Sequence, residues 1–165
     1  MGGKIAMKIA ELARVKTEKL VVLDITPIQY LESHHTEIFK ALFAVPQANV
    51  ASRLEAGKIM REYIHEEMVI QFLLKSFNKG QWLFNVQALF DHYPDIMAWE
   101  KVEKVNQPAL FLRGGNSFYI SKPEHFAAIN EQFSQAKIEC IENTGHWLHG
   151  EKPDEVIKHM QTFLN

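Results

Sequence analysis

His146 is the side chain whose type and position best suit acid–base chemistry. It lies in the segment Gly145-His146-Trp147, shortly after an apolar run at residues 137–141. Histidine exchanges protons readily in water, so it serves enzymes as a general base and then as a general acid. The alternative is a loop histidine that makes only structural hydrogen bonds. His149 is interpreted as a neighbour that packs or hydrogen bonds.

Asp24 is a second polar side chain at the end of an apolar run. Residues 20–25 read Leu-Val-Val-Leu-Asp-Ile, and Thr26-Pro27 follows. A continuous apolar run of this length indicates a strand covered on both faces, as in a parallel sheet. A carboxylate at such a strand end either contributes to a cleft or caps a loop or helix. Both interpretations of Asp24 fit the residues alone.

The remaining ligand-type side chains do not form a metal pattern. His34 and His35 are adjacent, with Glu37 nearby, but adjacent histidines point in different directions on a helix or strand. No cysteine partner or H-E-x-x-H spacing accompanies them, and no phosphate-loop pattern occurs. Cys140 lies within the apolar run 137–141 and is interpreted as a packing residue. We therefore expect no metal and no cofactor.

The bulk composition narrows the class of protein. The chain has 165 residues, the length of one domain, and a formal net charge of -2. A net charge of -2 does not indicate the basic surface that binds nucleic acid or an anionic membrane. No apolar run approaches the roughly 18 residues that span a bilayer. The single cysteine excludes an internal disulfide and favours a reducing, cytoplasmic compartment.

Strand and helix patterns alternate in both terminal parts of the chain. Residues 3–14 are predicted to form a helix, with Ile5, Ile9 and Leu12 at helical spacing. Its alanines Ala6, Ala10 and Ala13 are predicted to allow close approach to a sheet. The other predicted elements are strands at 20–25, 108–112 and 137–141 and helices from residue 123 and over 153–163. Alternating strands and helices predict an α/β fold with a parallel sheet flanked by helices.

Residues 30–105 interrupt this pattern with helical, aromatic-rich sequence. Helices are predicted over 51–64 and 66–77. The segment follows the carboxyl end of a strand, where open α/β sheets bind ligands. Its aromatic side chains either line an acyl pocket or form the core of the insertion itself. We therefore divide the chain into an α/β core, residues 1–29 and 106–165, and an inserted helical lid, residues 30–105.

These motifs together resemble the carboxyl-terminal part of α/β-hydrolases, and in particular the YbfF-like esterases. The resemblance is carried in order by the following segments: Met1-Gly2-Gly3-Lys4, Leu23-Asp24-Ile25-Thr26-Pro27, Gln71-Phe72-Leu73-Leu74-Lys75-Ser76-Phe77, Pro108-Ala109-Leu110-Phe111, Gly114-Gly115-Asn116-Ser117, Gly145-His146-Trp147 and Glu151-Lys152-Pro153. Each segment alone is a weak signal, whereas their order and spacing are specific. The resemblance extends over essentially the whole chain.

The resemblance implies ester hydrolysis by a serine nucleophile, a histidine and an acid. In this family the serine lies in a G-x-S-x-G elbow, and Met1-Gly2 matches the last two positions of that elbow. The serine would then immediately precede Met1. The backbone N–H of Met1 would be one donor of the oxyanion hole. His146 would be the base, and the substrate would be a small-molecule ester or thioester.

The resemblance also decides between two candidate acids. Most α/β-hydrolases carry the acid after the next-to-last strand, at the position that Ser117 occupies here. A serine cannot carry the negative charge that stabilises an imidazolium. The YbfF-like group resembles this departure and takes its acid from the preceding strand end, which matches Asp24. Ser117 is then interpreted as a loop hydrogen-bonding residue, and Asn116 as a possible neutral partner of the histidine.

Three hypotheses for function remain open. The first is a serine esterase whose nucleophile precedes Met1, so that the chain alone is inactive and marginally stable. The second is a non-catalytic interaction module derived from an α/β-hydrolase. The third is a relative with other chemistry, such as a thioesterase, C–C hydrolase, peroxidase or dehalogenase, because fold analogy alone does not choose the reaction.

Overall fold

The computed structural model describes residues 1–165 and divides into two compact units. The first unit contains residues 1–29 and 98–165, and the second contains residues 30–97. The elements along the chain are α1 (Gly2–Leu12), β1 (Leu20–Leu23), α2 (Thr36–Gln47), α3 (Arg53–Met60), α4 (Glu67–Leu74), β2 (Phe77–Asn78), β3 (Gln81–Trp82), α5 (Val86–Asp91), α6 (Tyr93–Met97), β4 (Ala109–Gly114), α7 (Pro123–Gln132), β5 (Ala136–Ile141), α8 (Leu148–Glu151) and α9 (Pro153–Leu164). No helix has an apolar stretch long enough to cross a bilayer.

A three-stranded parallel sheet in the order β1-β4-β5 forms the centre of the first unit. The predicted α/β alternation is therefore confirmed. The central strand β4 is almost entirely buried, as its continuous apolar sequence requires. Its side chains Leu110 and Leu112 pack with Ile141, Leu148 and Val156 in one apolar cluster. Because the strands are parallel, their carboxyl ends all lie at one edge of the sheet.

Helix α1 packs against β1 through small residues. A Cβ atom added at Gly3 would lie 2.3 Å from the Cγ2 atom of Ile25, so only glycine allows this close approach. The same face buries Met7 and Ala10 completely. Ala10 therefore lies at the buried face, as predicted, whereas Ile5 and Ile9, which recur at helical spacing, are each 52% exposed. The close backbone approach at Gly3 and the small side chain of Ala10 bring α1 against the sheet.

The second unit is helical and has its own apolar core. Helices α2, α3 and α4 surround Phe77, which is fully buried, and the Trp82 ring lies 5.1 Å from the Phe77 ring. The indole N–H of Trp82 donates to the carbonyl of Leu42 at 2.8 Å. These two aromatic residues are therefore core residues. Strands β2 and β3, of two residues each, form an antiparallel hairpin. The sequence analysis did not predict these strands, because elements this short have no detectable periodicity.

Residues 98–105 belong to the first unit in the structure, whereas the sequence-based division placed them in the lid. Val105 forms a parallel bridge with Phe133. Gln132 accepts hydrogen bonds from the Trp99 indole and from the backbone N–H of Val102. These long-range contacts attach the segment to the end of α7, and they have no counterpart in local sequence pattern.

Candidate active site

Asp24 directly follows β1 and is completely buried. Its backbone N–H continues the strand ladder and donates to the carbonyl of Leu112 at 2.8 Å. The φ angle of Asp24 is +48°, in the left-handed region that aspartate and asparagine adopt more readily than other side chains. This turn redirects the side chain at the end of the strand, so the local sequence is suited to holding a carboxylate here.

Three donors surround the Asp24 carboxylate. The backbone N–H of Gly114 donates to Oδ1 at 3.0 Å, and the hydroxyl of Ser117 donates to Oδ2 at 2.5 Å. The Nδ1 atom of His146 lies 2.8 Å from the same Oδ2 atom. A buried charge is costly unless it is hydrogen-bonded and paired, and here both oxygens have partners. The strand ends of β1 and β4 and the loop after β5 therefore meet at one carboxylate.

His146 has one ring nitrogen engaged and the opposite edge available. With Nδ1 donating to Asp24, the Nε2 atom carries the lone pair that accepts a proton. The His146 side chain is 42% exposed, whereas Asp24 is 0% exposed. This is the geometry of a general base that a buried carboxylate orients. The sequence analysis placed both residues at strand ends, and the structure brings them into contact across 122 positions of sequence.

Gly114 allows the histidine loop to lie against the end of β4. A Cβ atom at this position would lie 2.2 Å from the carbonyl oxygen of Gly145 and 2.8 Å from that of Thr144. The loop is held further by the backbone N–H of Asn116, which donates to the Thr144 carbonyl at 2.8 Å. Asn116 thus contacts the histidine loop through its backbone, while its own side chain is exposed.

The sequence analysis interpreted Ser117 as a loop hydrogen-bonding residue without identifying its partner, and it missed Tyr119. The hydroxyl of Ser117 donates to the carboxylate of Asp24, so the loop after β4 supplies a donor to this buried group. The Tyr119 ring lies over the imidazole of His146, with 4.1 Å between ring centroids and 33° between planes. No sequence pattern marks Tyr119, because its position beside His146 depends on the conformation of the loop after β4.

Met1 is the N-cap residue of α1, and its carbonyl accepts from the backbone N–H of Ile5 at 3.2 Å. Because Gly3 packs on Ile25, this end of α1 begins beside the strand end that carries Asp24. The positive end of a helix dipole also lies at this position. The role of Met1 as an oxyanion donor stays a prediction.

The histidine pair at 34–35 has other partners than a metal. The Nδ1 atom of His35 lies 2.5 Å from the Tyr93 hydroxyl, and Glu37 pairs with Lys40 at 2.7 Å. His34 lies 4.0 Å from Glu32. The structure contains no group of three or more side chains that could hold a metal ion.

Lys4 of helix α1 is 8% exposed, and burial lowers the pKa of its ammonium to about 8. Its Nζ atom donates to the carbonyl of Ala98 at 2.9 Å. In the folded protein this lysine releases its proton at a lower pH than in the unfolded chain. Burial of the charged ammonium therefore destabilises the fold fully below about pH 8. This destabilisation disappears as the pH rises towards the pKa of Lys4 in the unfolded chain.

We predict a pH-dependent stability difference between the protein and its Lys4→Met variant. Between pH 7.5 and 9.5 the unmodified protein should gain about 1–2 kcal/mol in unfolding free energy relative to the variant. Urea unfolding of both proteins at the two pH values measures this gain, with Lys8→Met as a control for the loss of a lysine on the same helix. A difference between protein and Lys4→Met variant that stays constant over this range would contradict the prediction.

Comparison with known proteins finds relatives that are named as esterases and lipases. No model of a known protein family matches the chain. The chain is 46% identical over its whole length to esterase YbfF of Escherichia coli K12 and covers 65% of that protein. It is also 46% identical to a putative esterase/lipase of Haemophilus influenzae, of which it covers 58%, and 33% identical to the sn-1-specific diacylglycerol lipase ABHD11 of Mus musculus. The chain thus spans about 58–65% of the length of these bacterial relatives.

Solved structures agree with this result. A marine microorganism esterase superposes with a TM-score of 0.91 and 32% identity, over 98% of this chain and 66% of that one. The E-2-(acetamidomethylene)succinate hydrolase structure superposes with a TM-score of 0.67 at 17% identity, which supports the fold alone. The chain therefore has the fold of the carboxyl-terminal part of an α/β-hydrolase, and over its whole length it is similar to that portion of the YbfF-like esterases.

Proposed function

We propose that this chain supplies the proton-transfer machinery of a serine esterase. The observation that carries the proposal is the 2.8 Å contact between His146 Nδ1 and the buried Asp24 carboxylate, which leaves Nε2 free to accept a proton. Relatives named as esterases and lipases, 33–46% identical over 99–100% of the chain, support the same reaction class. A non-catalytic module has no need to hold a buried carboxylate against an accessible imidazole.

In this mechanism a serine that precedes Met1 attacks the acyl carbon. His146 accepts the serine proton at Nε2, and the Asp24 carboxylate stabilises the imidazolium that forms. The backbone N–H of Met1 donates to the oxyanion, helped by the N-terminal end of α1. His146 then returns the proton to the leaving alcohol, and a water molecule repeats the sequence to release the acid.

The substrate in this proposal is a small-molecule carboxylic ester or thioester. Two relatives are named for esters and a third for a diacylglycerol, and all three names describe hydrolysis of an acyl–oxygen bond. The cytoplasmic location stays a prediction from the single cysteine.

The test measures hydrolysis of p-nitrophenyl butyrate by two proteins. One is this chain alone, and the other, the extended protein, carries the amino-terminal segment of Escherichia coli esterase YbfF through its nucleophile elbow. We expect turnover in the extended protein only. A parallel assay with the butyryl thioester of a thiol substrate compares the two acyl bonds in the same protein.

Replacement of the proposed base is the decisive variant. In the extended protein His146→Ala should lower kcat by at least about 10³-fold. His149→Ala is the matched control, since His149 is an exposed histidine three residues away that stacks on Trp147 at 6.0 Å, and it should stay within a few-fold of the unmodified rate. Turnover by the short chain, or by the His146→Ala variant, would overturn the proposal.

A further inference from the structure

We propose that Tyr119 is a positioning residue for His146, holding the plane of the imidazole while Asp24 holds its Nδ1 edge. The proposal rests on the proposed function, because it assigns a device to the same site. It is carried by ring geometry and by the hydrogen bonds that fix the backbone of Tyr119. The ring contact can be tested without an ester substrate.

The two rings are in close contact, with their planes tilted relative to each other. The centroids lie 4.1 Å apart, closer than the roughly 4.5–7 Å that is usual for aromatic pairs, and the planes are inclined by 33°. Tyr119 is half-buried, whereas the His146 side chain is 42% exposed. The tyrosine ring therefore covers one face of the imidazole and leaves the Nε2 edge accessible.

The backbone of Tyr119 is anchored to the loops that carry the acid. Its N–H donates to the Ser117 hydroxyl oxygen at 3.2 Å, and that hydroxyl donates in turn to Asp24. Its carbonyl accepts from the hydroxyl of Thr26 at 2.6 Å, and Thr26 is completely buried two residues after Asp24. Hydrogen bonds to both backbone polar groups of Tyr119 thus place its ring relative to the carboxylate.

This arrangement solves a geometric problem of the site. A single hydrogen bond from Nδ1 to Asp24 fixes a distance but leaves the imidazole able to turn about the line between the two atoms. A flat ring against one face removes that freedom, so Nε2 stays aimed at one point. The electron-rich face of tyrosine also attracts a cation, and the imidazole becomes cationic when it accepts the serine proton.

The kinetic test compares three variants in the extended protein. Tyr119→Leu, which removes the ring, should lower kcat about 10-fold and leave KM within about 2-fold, because small losses of alignment act on the chemical step. Tyr119→Phe, which keeps the ring, should stay within about 2-fold of the unmodified kcat. Phe126→Leu removes a half-buried ring on α7 in the same unit and controls for general loss of packing.

A spectroscopic test follows the same variants without substrate. The ring protons of His146 should show a ring-current shift from Tyr119, which NMR detects in the unmodified protein and in Tyr119→Phe. The shift should disappear in Tyr119→Leu and persist in Phe126→Leu. If Tyr119→Leu does not fold, Tyr119→Met takes its place, since methionine keeps volume without a ring.

The outcomes separate this proposal from the proposed function. An extended protein without esterase activity would overturn the esterase, while the His146 ring-current shift would still report the contact. An active, His146-dependent enzyme that keeps its kcat in Tyr119→Leu would overturn the positioning role alone. A decrease in kcat for Tyr119→Phe as large as that for Tyr119→Leu would also overturn it. A change in Tyr119→Leu that is confined to KM would do the same.

Discussion

Asp24→Asn should lower kcat for ester hydrolysis in the extended protein by about 10³–10⁴-fold while leaving the fold intact. Asparagine matches aspartate in size and adopts the φ of +48° without additional strain. Its amide oxygen can still accept from the backbone N–H of Gly114. We therefore expect little change in the unfolding free energy, so the loss of kcat reports the loss of the carboxylate's chemistry.

The loss has a specific atomic cause. The amide NH₂ group would replace the Oδ2 atom that accepts from Ser117 and faces His146 Nδ1. The serine hydroxyl can rotate to accept instead of donating. The imidazole can satisfy the NH₂ group only by placing its proton on Nε2, and this tautomer cannot accept the proton of the nucleophile.

Kinetics and histidine NMR check this prediction together. The kcat of Asp24→Asn is measured with p-nitrophenyl butyrate, and the ¹⁵N shifts of the His146 ring report which nitrogen carries the proton. Ser117→Ala is the comparison, since it removes one donor and keeps the charge, and we expect it to cost about 10-fold or less. An Asp24→Asn enzyme with more than a tenth of the unmodified kcat would exclude Asp24 as the acid.

Gly114→Ala should disrupt both stability and activity. The added methyl group would lie 2.2 Å from the Gly145 carbonyl oxygen and 2.8 Å from that of Thr144. Both are backbone atoms, so the histidine loop must move as a whole. Overpacking of this kind costs about 1–3 kcal/mol of unfolding free energy. A displacement of His146 near 1 Å lowers the rate by about 10²-fold.

Gly145→Ala is the matched control, because it adds the same methyl group across the same contact. There the nearest atom outside the chain neighbours is Oε1 of Glu151 at 3.3 Å, the end of a flexible side chain. We expect a stability loss below about 1 kcal/mol for this variant. Urea unfolding and kcat of both variants make the comparison, and equal effects at the two glycines would show that close backbone approach at Gly114 is unimportant.

The sequence by itself determined the order and type of the main elements. Continuous apolar runs predicted the three strands, because a strand buried on both faces has no polar positions. Pro123 and Pro153 each begin a helix in the structure, as their preference for the first helical turn predicts. The same runs placed Asp24 and His146 after strands, so their meeting at one sheet edge follows from parallel topology.

Only the tertiary structure decided which side chains meet at that edge. Ser117 lies 93 positions from Asp24, and Tyr119 lies 27 positions from His146, so neither contact leaves a local periodicity. The close approach of Gly3 to Ile25 likewise joins residues that are 22 positions apart. Hydropathy patterns report the average environment of a residue, whereas its hydrogen-bond partner depends on backbone turns and glycine contacts that form only when distant segments pack.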